Sequence, residues 1–365
     1  MNRAFYQEFP LSFKTAVRPR DGWRGLPRFR ARMRTASLLL LGAVLAMLSV
    51  EMLLHPFYGT LRSSPFAVPT TILNSDLPIL ALRQCIEGCA ESHFYGDGAR
   101  STGNVQLRQA PTGLIIGASF VQAKQVVDKD TMGAIVEQAL RSRKQINVRQ
   151  YGYDAQSIPT YVGLAPSFLQ KWNPCWVVVV MSRVDWSKHP SVWTMRVSPD
   201  GVPGMTLTDP SQSHGIKSAA RLLGDSSAVI ATLYWRFRDL VASSDSPPSG
   251  GPATSIAQQS ETVARDYVAA LKYSFGDRVH ILYLADVGIT GDNDPNDSLR
   301  ETALLTECAR RKVPCVSSRK LMTDELKRNY TPARGFGNSI MGEGHLNAAG
   351  HRMAASLIES LISKQ

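Results

Sequence analysis

Six consecutive apolar residues, Trp176-Val177-Val178-Val179-Val180-Met181, constrain the fold more than any other stretch of the chain. Val is stiff at χ1 and fits an extended, pleated backbone better than a helix. Successive side chains of a strand point to opposite faces, so a strand that is apolar at every position has to be covered on both sides. That is the environment of a central strand in a parallel sheet with helices packed on each face. A composition with 44% hydrophobic and 19% charged residues fits this and excludes a disordered, collagen-like or multi-span membrane chain.

The pattern from Pro111 onward supplies the rest of such a sheet. Gly113 to Gly117 reads as a buried first strand, and Met132, Ile135, Val136, Ala139 and Leu140 then recur at helical spacing, ending near Arg141, Arg143 and Lys144. Ile146 to Tyr151 predicts a second strand, Trp176 to Met181 the third, Val279 to Leu284 the fourth and Val313 to Val316 a short fifth. Helical stripes lie at Ile230, Leu233, Tyr234, Phe237 and Val241, at Val263, Tyr267, Val268, Leu271 and Phe275, across Leu299 to Arg311, and from Ala348 to Lys364. This order predicts an α/β fold with a doubly wound, mostly parallel five-stranded sheet over 111–365. Two features interrupt the alternation. Period-two runs on either side of Pro199-Asp200-Gly201 predict an inserted hairpin near 191–209, and the Ser/Pro/Gly stretch Ser243 to Ser255 predicts a surface loop. The acidic run Gly291 to Ser298 reads as a solvated turn, since Pro295 and the missing Glu at the twelfth position do not suit a calcium loop.

The net charge of +11 is local. Residues 1–36 carry nine Lys/Arg against Glu8 and Asp21, so the basicity is no argument for a nucleic-acid partner. Behind this head runs an apolar segment of about 20 residues, long enough to cross a bilayer. The expected organisation is a basic cytoplasmic tail over 1–34, an uncleaved transmembrane anchor over 35–56, a stem over 57–110 and the α/β domain after it. Arginines crowd the N-terminal flank, so the positive-inside rule puts the chain in the inner membrane with the C-terminal domain exported. Five cysteines suit that compartment, with Cys85–Cys89 and Cys308–Cys315 as local disulfides and Cys175 left over as one arrangement. Cys85, Cys89 and His93 are too few for a zinc site, and no metal or cofactor is expected.

In an open α/β sheet the chemistry sits outside the carboxyl ends of the strands. Gly117-Ala118-Ser119-Phe120 follows the first strand and can expose a hydroxyl beside backbone N–H groups. Tyr151-Gly152-Tyr153-Asp154 follows the second, and Ser182-Arg183-Val184-Asp185-Trp186 the third. The segment opening the last helix, Gly342-Glu343-Gly344-His345-Leu346-Asn347, offers a base with an acid two residues before it. A serine, a histidine and a carboxylate are what serine acyl transfer requires.

From about Pro111 to the C-terminus the chain resembles the SGNH (GDSL-like) hydrolase superfamily, through IIGASF, QYGYD, VVVVMSRVDW and GEGHLNAAGH. The resemblance implies Ser119 as nucleophile, His345 as base and Glu343 as its acid, with Gly152 as an oxyanion donor and Arg183 and Asp185 at the oxyanion and substrate side. Three positions depart from the family pattern: Ala118 stands for the usual Asp, Val184 for the usual oxyanion Asn, and Glu343 for the usual Asp. Loss of one oxyanion donor costs on the order of 3 kcal/mol in a transition state unless another group replaces it. The implied activity is ester hydrolysis or O-acetyl transfer on an acylated envelope carbohydrate, resembling proteins of polysaccharide acetylation, with association to an envelope complex as a further expectation. The contrasting expectation is a non-catalytic SGNH-like glycan-binding or scaffold protein of the cell envelope.

Overall fold

A computed structural model describes residues 26–58, 78–85, 87–107, 109–154, 156–186, 193–207, 229, 253–290 and 295–363. The chain divides into two compact units, Met1–Val50 and Glu51–Gln365. Helix α1 (Leu26–Tyr58) contains the apolar segment Thr35–Leu53, 19 residues of mean hydropathy 2.1 with none of it buried, which is long and apolar enough to cross a membrane.

The larger unit is built on β3 (Thr112–Gly117), β4 (Asn147–Gly152), β5 (Trp176–Ser182), β8 (Val279–Leu284) and β9 (Cys315–Ser317). They form one five-stranded sheet in the order β4-β3-β5-β8-β9, parallel throughout. Every residue of β3, β4, β5 and β8 is buried. This is the α/β, doubly wound architecture that the apolar run at 176–181 requires. The sequence order reverses between β3 and β5, which lie side by side, so a crevice opens at their carboxyl ends.

Helices follow the strands as the crossovers of a parallel sheet demand. Short α2 (Ser119–Gln122) leaves β3, and α3 (Met132–Lys144) starts from a Thr131 hydroxyl that accepts the Ala134 N–H. Arg141, Arg143 and Lys144 occupy its last turn, where cations suit the helix dipole. Helix α4 (Ile158–Trp172) joins β4 to β5 and was not predicted, because Pro159, Gly163 and Pro166 obscure the periodicity of its buried face of Ile158, Tyr161, Val162, Ala165 and Phe168. Helices α5 (Ala253–Phe275), α6 (Pro295–Arg310), α7 (Arg319–Asn329) and α8 (Ala348–Ile362) complete the layers. The inserted hairpin is β6 (Trp193–Val197) paired with β7 (Pro203–Leu207). The predicted helical stripe at 230–241, residues 291–294 and most of the loop at 243–255 lie outside the described residues, while the rest of the run expected to be a solvated turn, 295–298, opens α6 instead, with Asp297 buried and accepting from the Tyr283 hydroxyl and Arg319.

The segment expected to be a stem carries a hairpin that packs with the domain. Strand β1 (Pro78–Gln84) pairs antiparallel with β2 (Ala90–Tyr95), and Phe94 and Tyr95 are buried. The Arg100 N–H donates to the Gln150 carbonyl of β4 at 2.7 Å, and its buried guanidinium binds Asp128 and the Val126 carbonyl. Asp97 accepts from the Tyr151 hydroxyl and from Lys171. Anchoring by buried polar groups leaves no apolar periodicity, which is why this stretch reads as irregular. Both local disulfides, Cys85–Cys89 and Cys308–Cys315, are formed, and Cys175 is free and exposed.

Glu137 of α3 is wholly buried and accepts from the Thr102 hydroxyl, Asn104 Nδ2 and the Val148 N–H. Glu137→Ala strands two buried donors and that of part-buried Asn104 and is expected to cost about 3–5 kcal/mol, read as a lower denaturant midpoint at unchanged slope.

Candidate functional site

The carboxyl edge of the sheet gathers segments that are far apart in the chain. Ser119 opens α2 directly after β3 and is part-buried. Its position at the first turn leaves nearby N–H groups without intrahelical acceptors, the donors an oxyanion needs. Its hydroxyl makes no hydrogen bond among the described residues. Gly152 ends β4 level with Gly117, and a Cβ on it would lie 1.9 Å from the Gln122 N and 2.3 Å from the Gln122 Cα. Only glycine lets the end of β4 approach the backbone of α2 so closely.

His345 comes to the same edge. Its ring centroid lies 5.6 Å from that of Phe120, the residue after Ser119. Buried Arg334 bridges the two segments: its guanidinium lies 4.7 Å from the Phe120 ring centroid and donates to the carbonyls of Gly344 at 3.2 Å and Ala285 at 3.1 Å. The Gly335 N–H in turn donates to the His345 carbonyl. Asn347, two residues on, caps α8 by accepting from the N–H groups of Ala349 and Gly350. His345 therefore sits on a segment fixed on both sides, with its side chain 28% exposed.

The carboxylate on its imidazole is Glu87, and this corrects the expectation placed on Glu343. Glu87 Oε2 lies 2.6 Å from His345 Nδ1, and Oε1 accepts the His345 backbone N–H at 2.6 Å. A carboxylate at Nδ1 keeps the proton there, which leaves Nε2 as the acceptor nitrogen of the neutral imidazole. Burial raises the Glu87 pKa, but the hydrogen bonds from His345 and the positive field of His345 and Arg334 outweigh it and hold the carboxyl below its ordinary range. Glu343 is exposed. Gly344, at φ +73°, turns the backbone between the two residues, and a Cβ there would lie 1.9 Å from Glu87 Oε1. The glycine beside the histidine admits a carboxylate from elsewhere and leaves Glu343 pointing to solvent. Glu87 lies 258 positions from His345. The one local signal for it was an acid bracketed by Cys85 and Cys89, and nothing in the sequence says where that loop docks.

The remaining expected groups divide differently. Arg183 is 51% exposed and forms an ion pair with Asp286 at 2.8 Å, so its charge is balanced. Asp185 is 1% exposed and folds back to accept the Ser182 N–H at 2.7 Å. It closes its own turn, because a short side chain three residues on is the natural partner for that N–H. Burial, opposed by bonds from Ser182, pushes its pKa up to about 7. His351 is buried, its Nδ1 accepts the Met132 N–H at 3.3 Å, and burial together with Arg100 and His345 lowers its pKa to about 3. It is a neutral structural residue. Among the described residues no group of three His, Cys, Asp or Glu side chains is placed to hold a metal ion.

Neither known protein families nor curated proteins give a match to the sequence. Solved structures of similar chain course include an alpha/beta hydrolase from the metagenome of Lake Arreo, Spain, at 12% identity and TM-score 0.40, covering 71% of this chain and 98% of that one. A lipolytic protein of the G-D-S-L family from Veillonella parvula is similar at 12% identity and TM-score 0.38, covering 70% of this chain and 100% of that one. A catalytic mutant of an acetylxylan esterase from Geobacillus stearothermophilus is similar at 13% identity and TM-score 0.38, covering 70% and 96%.

Two substitutions test the geometry. Gly152→Ala is expected to push α2 away from β4 and to cost roughly 1–3 kcal/mol by overpacking, measured by denaturation. For Asp185, the unfolded chain releases the proton near pH 3.9 while the native carboxyl holds it to about 7. The native state thus binds more protons between those values, and the carboxyl's contribution to stability falls as pH rises, by at most roughly 1.4 kcal/mol per unit. His351, held neutral, acts with the opposite sign below its ordinary value of about 6.5. The informative quantity is therefore the difference in Tm between Asp185→Asn and wild type, which should grow from pH 4 to pH 7 and then level off.

Proposed function

We propose that the chain is a membrane-tethered serine esterase or O-acyltransferase acting outside the cytoplasmic membrane on an acylated envelope carbohydrate. The observation that carries this reading is the hydrogen bond between Glu87 and His345 Nδ1, at the sheet edge where Ser119 opens α2. A carboxylate on Nδ1 sets the imidazole tautomer that leaves Nε2 able to accept a proton, which is the requirement for activating a serine hydroxyl.

His345 Nε2 takes the proton of Ser119 as Oγ attacks the acyl carbonyl. Glu87 stabilises the imidazolium that forms, and the N–H groups of Ser119 and Gly152 hold the developing oxyanion. His345 then returns the proton to the leaving hydroxyl. Water or a sugar hydroxyl, deprotonated by the same imidazole, releases the acyl group from Ser119. The apolar helix supports the tether, because an enzyme held at the membrane meets glycan made or exported there.

A fluorophosphonate probe should label Ser119 of the full chain in detergent. Ser119→Ala should abolish labelling and acyl turnover, and His345→Ala should lower turnover by about 10⁵-fold or more. Glu87→Gln should cost about a hundredfold or more, while Glu343→Gln leaves turnover unchanged. Absence of labelling in the folded wild type overturns the enzyme reading and favours a glycan-binding domain.

A further inference from the structure

The position of Glu87 within its loop carries one step more. Residues 85–89 connect β1 to β2, whose last ladder pair is Gln84 with Ala90, and the Cys85–Cys89 disulfide closes that turn across a Cα separation of 4.0 Å. Glu87 is the middle residue of this five-residue ring. Besides the bonds of Glu87 itself, Asn338 docks the ring: its Nδ2 donates to the carbonyls of Cys85 and Gly88, both at 2.9 Å, and its Oδ1 accepts the Gly88 N–H at 2.8 Å. Fixing a long carboxylate side chain costs rotamer freedom besides that of the backbone it stands on. A covalent ring restricts that backbone in the unfolded chain as well.

We propose that the Cys85–Cys89 disulfide is a positioning element of the site, holding Glu87 against His345, and that opening it releases the acid and slows acyl transfer. The proposal rests on the reading of Ser119, His345 and Glu87 as the acyl-transfer group. Cys89 is exposed and Cys85 part-exposed, so the bond is open to a thiol reductant. With a dithiol such as dithiothreitol, the Sγ–Sγ bond accepts two electrons and two protons to become two thiols, and the dithiol is oxidised to its own disulfide. The Cys308–Cys315 disulfide, at the α6–β9 connection, provides a separate control.

The test uses the full chain in detergent carrying Cys308→Ala and Cys315→Ala. Turnover of para-nitrophenyl acetate and the rate of Ser119 labelling are measured before and after complete reduction of Cys85–Cys89, checked by mass spectrometry, in this background and with Glu87→Gln added. Reduction should lower kcat about tenfold or more with KM within about twofold, reoxidation should restore it, and the Glu87→Gln protein should not respond to reduction. An unchanged rate after complete reduction overturns the proposal, and so does an equal fall in the Glu87→Gln protein, which would mark a general structural role. Proton NMR reads the geometry without turnover. The downfield Nδ1–H resonance of His345 should vanish on reduction and in Glu87→Gln. If Ser119 fails to label in every state, the catalytic reading falls, and this resonance alone decides: its persistence in the reduced protein overturns the positioning role, and its loss supports it.

Discussion

A strand with apolar side chains on both faces cannot sit at a solvent boundary, and the larger unit is organised around that constraint. Strand β5 has every residue buried, with β3 on one side and β8 on the other. Parallel neighbours cannot be joined by tight turns, so the chain has to leave each strand, cross a face of the sheet and return. The crossovers are the helices that cover the apolar faces, and the order β4-β3-β5 puts the first strand beside the third. The crevice at their carboxyl ends is therefore a consequence of burying β5. Ser119, Gly152 and Arg183 lie at the edge of that crevice because each stands at the end of one of these three strands.

The sheet was legible in the sequence because the property that places its strands, continuous apolarity, is local. The four long strands fall within a residue or two of their expected bounds, and the hairpin at β6–β7 follows its period-two pattern. What failed did so for identifiable physical reasons. Helix α4 hides behind Pro159 and Pro166, although proline at a helix start costs little. The β1–β2 segment is held by Asp97, Arg100 and Asp128, and a buried polar network has no period to read. At the candidate site, the motifs that single out Ser119 and His345 are short and local, whereas nothing local marks Glu87. Its place against His345 is set by where a hairpin loop docks, which no spacing near residue 87 encodes.

Arg334 shows how a buried charge is used at this edge. Burial lowers its pKa, and Asp286 at 3.8 Å opposes that shift. Its hydrogen bonds go to the Gly344 and Ala285 carbonyls, and its guanidinium lies over Phe120. One planar cation thus joins the Ser119 turn, the His345 segment and the end of β8. A lysine has three donors on a point charge but no planar face to lie over Phe120 while a fixed fork reaches the two carbonyls.

An acid supplied from 258 positions away would be a weak arrangement if it relied on one contact. Glu87 makes two, one from each carboxylate oxygen, to the imidazole Nδ1 and to the backbone N–H of the same residue. A side chain bonded to both the ring and the backbone of His345 stays in place through the backbone bond even when the imidazole rotates, so the carboxylate remains where Nδ1 can return to it. Glu343, two residues before the histidine, is exposed, and the backbone at Gly344 turns between them. The closure entropy of bringing distant segments together grows only with the logarithm of the loop, and the packing of the intervening sheet already covers that cost. What distance adds is dependence: the His345 imidazole meets its carboxylate only when β1, β2 and the segment around residue 345 have all reached their places.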